Sequence, residues 1–291
     1  MTRKADLYLL TSAALAGLSA DDQLLLAGLR QRGLAVEPIV WEDPSIDWEQ
    51  APPTVIRSTW DYAYRLPLFL ECLTKVERHT RLLNPLSLVR WNAHKSYLLD
   101  LFAKGIEVIP THLLRRGGGD QENVLANMVE QHDIVIKPAV GAGGKWTYKI
   151  ARGDLQNAWK CANKVLCYED ALVQPFVPAV MSRGEVSVIV IDGSASHAVR
   201  KKGAAEDFRV HSEYGGTVEP TGLTPILADY ATRVLDALPG NPFYARIDLV
   251  ESDEGRPLLM EAELIEPELF FSSSPSGTAL FIERLQCRLV P

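Results

Sequence analysis

Tyr244–Phe271 reads YARIDLVESDEGRPLLMEAELIEPELFF, and its pattern decides the fold. Tyr244–Val250 is apolar at alternate positions, Asp253-Glu254-Gly255 carries turn chemistry, and Pro257–Leu264 runs back. This predicts a hairpin of two buried strands. Acids interrupt both apolar runs: Asp248 in the first, Glu261 and Glu263 in the second. Buried carboxylates are costly unless something cationic meets them. Residues two apart on a strand share a face, so Glu261 and Glu263 point the same way, and a hairpin brings Asp248 alongside. Three hard oxygen donors with no His or Cys among them suit Mg²⁺ rather than zinc. The plain alternative is a solvent-facing acidic edge. Against it, Leu258, Leu259, Met260, Leu264 and Ile265 make the second strand too apolar.

The chain around this hairpin has 291 residues, enough for one large or several small domains with a real core. Its 30 basic and 37 acidic residues give a net charge of −7, which is not the basic footprint of a nucleic-acid binder. A basic pocket inside an acidic protein still leaves phosphate ligands open. Cys72, Cys161, Cys167 and Cys287 form no CxxC pair and read as reduced thiols of a cytoplasmic protein. Leu7–Leu18 is apolar, but Asp6 precedes it and Asp21-Asp22 follow, so it reads as a strand and loop rather than a signal peptide. No apolar run is long enough to span a membrane. Beyond Gly117–Gly119 there is no low-complexity tract.

Upstream of residue 84, short apolar strands at Asp6–Leu10, Val36–Trp41 and Thr54–Arg57 alternate with helices over 23–32 and 67–79, the first capped by Ser19-Ala20-Asp21-Asp22. That alternation predicts a small parallel, Rossmann-like sheet. Ligands meet such sheets beyond the strand ends, which makes Arg57, Ser58 and Asp61 candidate substrate contacts; a salt-bridged structural loop is the equal alternative. No GxGxxG follows the first strand, which disfavours a dinucleotide site. Asn92 is placed to cap a helix over Ala93–Lys104, with Lys95 in its first turn. The helix dipole disfavours a cation there, so Lys95 either meets an anion or is an ordinary solvated lysine.

Asp133–Lys137 is a strand entering Gly141-Ala142-Gly143-Gly144-Lys145, with a return strand over Trp146–Ile150. A lysine leading into glycines fits a phosphate cradle, because no Cβ keeps backbone N–H groups away. The lysine precedes the glycines and no helix follows, so this is not a Walker A loop; a plain hairpin turn is the rival reading. Gln174-Pro175-Phe176-Val177-Pro178 reads as a stiff interdomain hinge whose exposed backbone could read an adenine edge. Gly184–Ile191 and Ala195–Arg200 form a hairpin around Asp192-Gly193, with Glu185 opening the first strand and Arg200, Lys201 and Lys202 ending the second. Asp207–His211 with Arg209, then Gly215-Gly216, make a loop able to fold over a ligand. Helices are expected over 223–238 and 278–285.

Over Asn84–Pro267 the order of Lys95, Lys137 with Gly141–Gly144, Gln174–Val177, Arg246-Ile247-Asp248 and Glu261-Ala262-Glu263 resembles the ATP-grasp superfamily. The runs SHAVRK, DFRV, GGTVEP, YARIDLV and LIEP are similar to its glutathione-synthetase-like members, and among these to cyclo-ligases that close D-cycloserine from O-ureidoserine. The resemblance implies an α+β, α/β chain: an ATP-grasp fold behind an N-terminal Rossmann-like domain. Residues 1–84 would be the substrate domain, 85–175 the central subdomain with the flap, and 176–291 the C-terminal subdomain with the Mg²⁺ site. It implies ATP held by Lys95, Lys137, the flap Gly141, Gly143 and Gly144, the hinge Gln174, Phe176 and Val177, and Glu185 at ribose. Asp248, Glu261 and Glu263 would bind one or two Mg²⁺, with Mn²⁺ as a substitute. Arg246 would steady the transferring phosphoryl group, and Arg200 and Arg209 would sit near it or near the substrate carboxylate. Glu263 stands where the family has Asn, and Pro175 where a hinge acid often lies.

The implied reaction is ATP-dependent ligation of a small-molecule carboxylate and amine, through an acyl phosphate, with no nucleic-acid or membrane partner and a homodimer left open. Three rivals are a kinase, whose HRD and DFG motifs are missing, a non-catalytic nucleotide binder, which would leave costly buried acids unused, and a metal-dependent hydrolase, for which the lack of a His-containing ligand set disfavours zinc though not magnesium.

Overall fold

The structure, a computed structural model, describes residues 4–118, 121–204, 207–210, 214–252 and 254–289; Gly119, His211 and Asp253, named above, lie outside the described residues. The chain opens with β1 (Leu7–Thr11), α1 (Ala20–Gln31), β2 (Val36–Val40), β3 (Thr54–Ile56), α2 (Leu66–His79) and β4 (Leu82–Leu83). The four strands form a parallel sheet in the order β2-β1-β3-β4, the Rossmann-like layout expected. Ser19 caps α1 by accepting from the Asp22 N–H at 3.1 Å. Asp21 and Asp22 occupy its first turn, where the helix dipole favours anions.

Next come α3 (Leu86–Asn92) and α4 (Tyr97–Ala103), then β5 (His112–Leu114), α5 (Glu122–Gln131), β6 (Ile134–Pro138), β7 (Tyr148–Ile150), α6 (Leu155–Leu166) and β8 (Ala171–Pro175). These strands make an antiparallel sheet, β5-β8-β6-β7, with α5 and α6 packed on one apolar cluster with it. The remainder is α7 (Ala179–Ser182), β9 (Glu185–Ile191), β10 (Ser194–Lys202), β11 (Thr217–Thr221), α8 (Pro225–Ala237), β12 (Tyr244–Glu251), β13 (Pro257–Glu263) and α9 (Pro275–Leu289). Its five-stranded sheet runs β11-β10-β9-β12-β13.

Period-two alternation divides this sheet's two faces. Val186, Val188 and Val190 of β9 and Ala245, Ile247 and Leu249 of β12 join α8, α3 and α4 in one cluster. The opposite face is split along its length. Ile189, Ile191 and Tyr244 pack against α1 and α9, while Glu185, Ser187, Arg246 and Asp248 occupy the other end of the same face. One end is therefore core and the other a buried polar wall.

Several elements differ from the sequence expectation. Asn92 caps no helix: α3 ends on it, and its side chain serves the free edge of β13, donating to the Ala262 carbonyl at 2.7 Å and accepting from the Leu264 N–H at 2.9 Å. The Tyr97 hydroxyl accepts from the Ala262 N–H at 3.0 Å, and Val108 bridges to Leu259. An edge strand's unpaired backbone groups are thus met by side chains from α3 and α4. β11 is exposed and carries Pro220, so it shows no apolar alternation; it is read only from its ladder to β10. α9 is longer than expected, beginning at Pro275.

Asp22 and Arg57 tie the parallel sheet to the rest. The Arg57 Nε donates to Asp22 Oδ1 at 2.7 Å and Nη2 to the Pro267 carbonyl at 2.9 Å. The guanidinium lies over the Tyr244 and Phe271 rings, and the side chain is 1% exposed. Removing one partner of a buried pair strands the other charge. Asp22→Ala should lower the unfolding free energy by about 3–5 kcal/mol in urea titrations. Lys75→Ala, at an exposed helix pair with Glu71, should change it by less than about 0.5 kcal/mol.

Candidate active site

A cavity of about 680 Å³ opens between the sheets. Its polar wall is the β12–β13 pair. Arg246 lies opposite Glu263 and Asp248 opposite Glu261, so all four side chains share one face, as the hairpin pattern predicts. The hairpin pattern does not show how fully these charges are matched. Arg246 Nε donates to Asp248 Oδ1 at 3.0 Å, its Nη2 to Oδ2 at 3.0 Å, and it also pairs with Glu263. Ser187 Oγ donates to Asp248 Oδ1 at 2.5 Å. Lys137 Nζ meets Glu261 Oε1 at 2.8 Å and Lys95 Nζ lies 3.8 Å from Oε2. Lys95 Nζ also donates to the Gly141 carbonyl at 2.7 Å.

Burial acts to raise each carboxyl's pKa, and the cations decide the outcome. For Asp248, Arg246 and Lys201 outweigh burial and hold it well below the usual range. For Glu261, Lys137 and Lys95 outweigh burial and bring it to about 2. Glu263 stays above its usual value, since burial, with Asp248 and Glu261 nearby, exceeds the pull of Arg246. Among the described residues no three acids converge as a ready-made cation site. Asp248, Glu261 and Glu263 share a face, as the hairpin pattern predicts, and Arg246, Lys137 and Lys95 pair with them. The donor chemistry still fits Mg²⁺. All three acids are hard oxygen donors, and desolvation disfavours the charged form of half-buried Glu263 and buried Glu266, which a divalent cation would stabilise.

The flap Gly141, Gly143 and Gly144 lines the cavity with Lys145. Gly143 and Gly144 have φ of 63° and 64°, a left-handed run that favours glycine. Lys145 Nζ sits 4.5 Å from the centre of the Tyr64 ring, joining flap to parallel sheet. At the hinge, Gln174, Phe176 and Val177 also line the cavity. Gln174 Nε2 donates to Thr111 Oγ1 at 2.8 Å, and the Phe176 N–H to the Asp133 carbonyl at 2.8 Å. Lys149 lies 3.7 Å above the Phe176 ring.

Several expected contacts need correction. Arg57 and Ser58 do not reach the cavity: Arg57 is held as described, and Ser58 Oγ donates to Asp22 Oδ2 at 2.6 Å and accepts from the Ser19 N–H. Asp61 does line it, accepting from Trp41 Nε1 at 3.0 Å and pairing with Arg65. Gly215 and Gly216 are not among the lining residues, whereas their neighbour Tyr214 is. Arg209 lines the cavity, folded onto Asp207 and stacked 3.4 Å from the Tyr214 ring centre. Arg200 points away, donating to the Arg183 carbonyl at 2.8 Å.

Lys201, which sequence pattern does not single out, takes Arg200's expected place. It is buried, ion-paired with Glu185, and 3.4 Å from Asp248. Burial raises Glu185 to about 7 against the pull of Lys201. A β-bulge between Ala195 and His197 explains the exchange. A regular hairpin counted from Ile191↔Ser194 sets Glu185 opposite Arg200; one extra residue sets it opposite Lys201. Glu266, Glu268 and Trp60 also line the cavity without a sequence signal, because they lie in loops without period.

Comparison with known proteins places this geometry in a class. Residues 102–253 match the family described as prokaryotic glutathione synthetase, ATP-grasp domain, and the chain belongs to the ATP-grasp ligases, enzymes that form carbon–nitrogen bonds with ATP. Residues 7–84 match the N-terminal domain of D-cycloserine synthetase DcsG. The chain is 32% identical to the cycloserine biosynthesis protein DcsG of Streptomyces lavendulae, covering 98% of this chain and 99% of that one. It is 26% identical to the glutathione synthetase of Agrobacterium fabrum, over 70% of this chain and 60% of the relative. The crystal structure of D-cycloserine synthetase DcsG superposes with a TM-score of 0.88 at 30% identity, over 97% of this chain and 99% of that chain. The ATP-grasp ligase PsnB, solved with precursor peptide PsnA2 and AMPPNP, superposes at 0.66 with 18% identity over 99% of each chain, a likeness of fold. No helix among the described residues is long and apolar enough to cross a membrane.

Glu266 gives the site a measurable pH signature. Burial, with Glu263 nearby, raises its pKa from 4.5 to about 8. The folded state thus keeps a proton that the unfolded chain releases. This contribution is complete below about pH 4.5 and falls away as pH rises toward 8. Gln cannot titrate. Glu266→Gln should therefore gain on the parent, by up to about 1.4 kcal/mol per pH unit, in urea unfolding compared between pH 5 and pH 8.

Proposed function

We propose that the cavity is where ATP converts a substrate carboxylate into an acyl phosphate that an amine then captures, and that both groups belong to one small amino-acid derivative. The product would be a cyclised amide of the D-cycloserine kind. The observation that carries this reading is the meeting of Lys95, Lys137, the Gly141 carbonyl and Glu261, drawn from three separate segments onto one wall. The intramolecular step is supported by the full-length similarity to DcsG and by the match of residues 7–84, within which Trp60, Asp61 and Tyr62 line the cavity.

In this reading residues 85–175 and 176–291 close on the nucleotide, and residues 1–84 supply the substrate side. Lys95 and Lys137 take the α/β-phosphates and the glycine flap covers them. Gln174, Phe176 and Val177 border adenine, with Glu185 at ribose. Asp248, Glu261 and Glu263 would hold Mg²⁺, which when bound neutralises charge on the phosphoryl oxygens. The lysines now facing Glu261 are those assigned to phosphate, so nucleotide binding frees that carboxylate. A carboxylate oxygen of the substrate bonds to the γ-phosphorus as the bond to the bridging oxygen breaks, releasing ADP. The capturing nitrogen, in O-ureidoserine the ureido N–H bonded to oxygen, then attacks the carbonyl carbon, phosphate departs and the nitrogen loses a proton; hydrolysis of the N-carbamoyl ring releases carbon dioxide and ammonia. Arg246, with Lys201 beside it, presents fixed positive charge to the transferring group. Arg209 is the candidate partner for the substrate carboxylate once it leaves Asp207. The closed flap keeps water from the acyl phosphate.

Incubation of the chain with ATP, Mg²⁺ and O-ureidoserine should release ADP and phosphate in step with a cyclic product seen by mass spectrometry. A stable phosphorylated product without ring closure would overturn the ligase step. Asp248→Asn and Glu261→Gln should each lower kcat/KM by at least about 100-fold.

A further inference from the structure

Part of the cavity wall comes from Trp60 and Tyr62, after β3, and from Glu266 and Glu268, after β13. The Glu266 backbone carbonyl accepts from Trp60 Nε1 at 3.1 Å, which fixes this loop against the parallel sheet. Its side chain is different. Glu266 is 8% exposed and lines the cavity, yet no other residue hydrogen-bonds or ion-pairs its carboxyl group among the described residues. Glu268 resembles it: its backbone carbonyl accepts from Arg246 Nη1 at 3.3 Å, while its carboxyl has no bonded partner among the described residues. The other acids of the wall are matched, Asp248 and Glu263 by Arg246, Glu261 by Lys137, and Asp61 by Arg65.

A desolvated carboxyl group facing a cavity without a partner is costly in the empty protein and is relieved by a cationic ligand. Aromatic rings beside it favour the same kind of ligand. We infer that Glu266 is the recognition site for a spectator ammonium group on the substrate, so that the enzyme takes free amino-acid derivatives and rejects acids lacking that ammonium. The inference deepens the ligase reading and rests on it for the position of the reacting carboxylate. The pKa of about 8 for Glu266 agrees: a bound ammonium restores the charge that burial withholds.

Hydroxylamine capture of the acyl phosphate as a hydroxamate reads the first half-reaction alone. Two probes are compared, O-ureidoserine and its desamino analogue with hydrogen in place of the ammonium. The parent enzyme should favour the ammonium-bearing probe by at least about 100-fold in kcat/KM. Glu266→Gln should raise KM for that probe at least about 30-fold, shrink the preference below about tenfold, and leave the Kd for AMPPNP within about twofold. Glu266→Asp should recover part of the preference. Equal use of both probes by the parent, or an undiminished preference in Glu266→Gln, overturns the assignment. If neither probe gives hydroxamate, the ligase reading fails on this substrate, and calorimetric binding of the same pair to the parent decides the subsite separately. Selective binding of the ammonium-bearing probe supports it; equal binding or none overturns it. Should Glu266→Gln fail to fold, the parent's choice between the two probes still decides the assignment.

Discussion

Everything at the site depends on one alignment: Arg246 opposite Glu263 and Asp248 opposite Glu261 across a single ladder. Four charged side chains share one sheet face, Arg246 and Asp248 buried and Glu261 and Glu263 half-buried, an arrangement that hydrophobic burial alone cannot sustain. It survives because further charges arrive from elsewhere, Lys137 from β6, Lys95 from the turn before α4, and Lys201 from β10. The network is electrostatically near closure without ligand, yet its members are the groups a nucleotide and a cation would engage. Binding then exchanges partners within a pre-set array, and a dry, pre-oriented array is what makes fixed charges effective.

That array needs a rigid backing. The same sheet face that carries it is, further along the strands, a packed core of Ile189, Ile191 and Tyr244 against α1 and α9. The Tyr244 hydroxyl lies 2.8 Å from both the Ile56 and the Ile265 carbonyl, linking β3, β12 and the loop after β13. Asp21 accepts from the Phe271 and Ser272 N–H groups at 2.9 Å each. The parallel sheet is thus joined to the loop that carries Glu266 and Glu268, so substrate wall and phosphate wall keep a common frame.

How much of this is legible in the sequence follows from which signals are local. The hairpin Tyr244–Leu264, the glycine flap and the parallel sheet are readable because alternation, turn residues and caps act within a few positions. Arg57 misleads for a physical reason: an arginine at a strand end reads the same whether it faces solvent, ligand or a buried Asp22. Asn92 looks like a helix cap because its true partners, Ala262 and Leu264, lie 170 and 172 residues away. The loop acids Glu266 and Glu268 belong to no periodic element, so no pattern marks them.

The irregularity between Ala195 and His197 has an evolutionary corollary. At such a spot the chain's length, not its lettering, carries the instruction. Deleting Ser196 would give a regular ladder that still sets Lys201 opposite Glu185, whereas a regular ladder that kept Ser196 would bring the Arg200 guanidinium there. A homologue with a single gap there would present the same ammonium to the same acid through a regular ladder, so the extra residue and the bulge compensate each other.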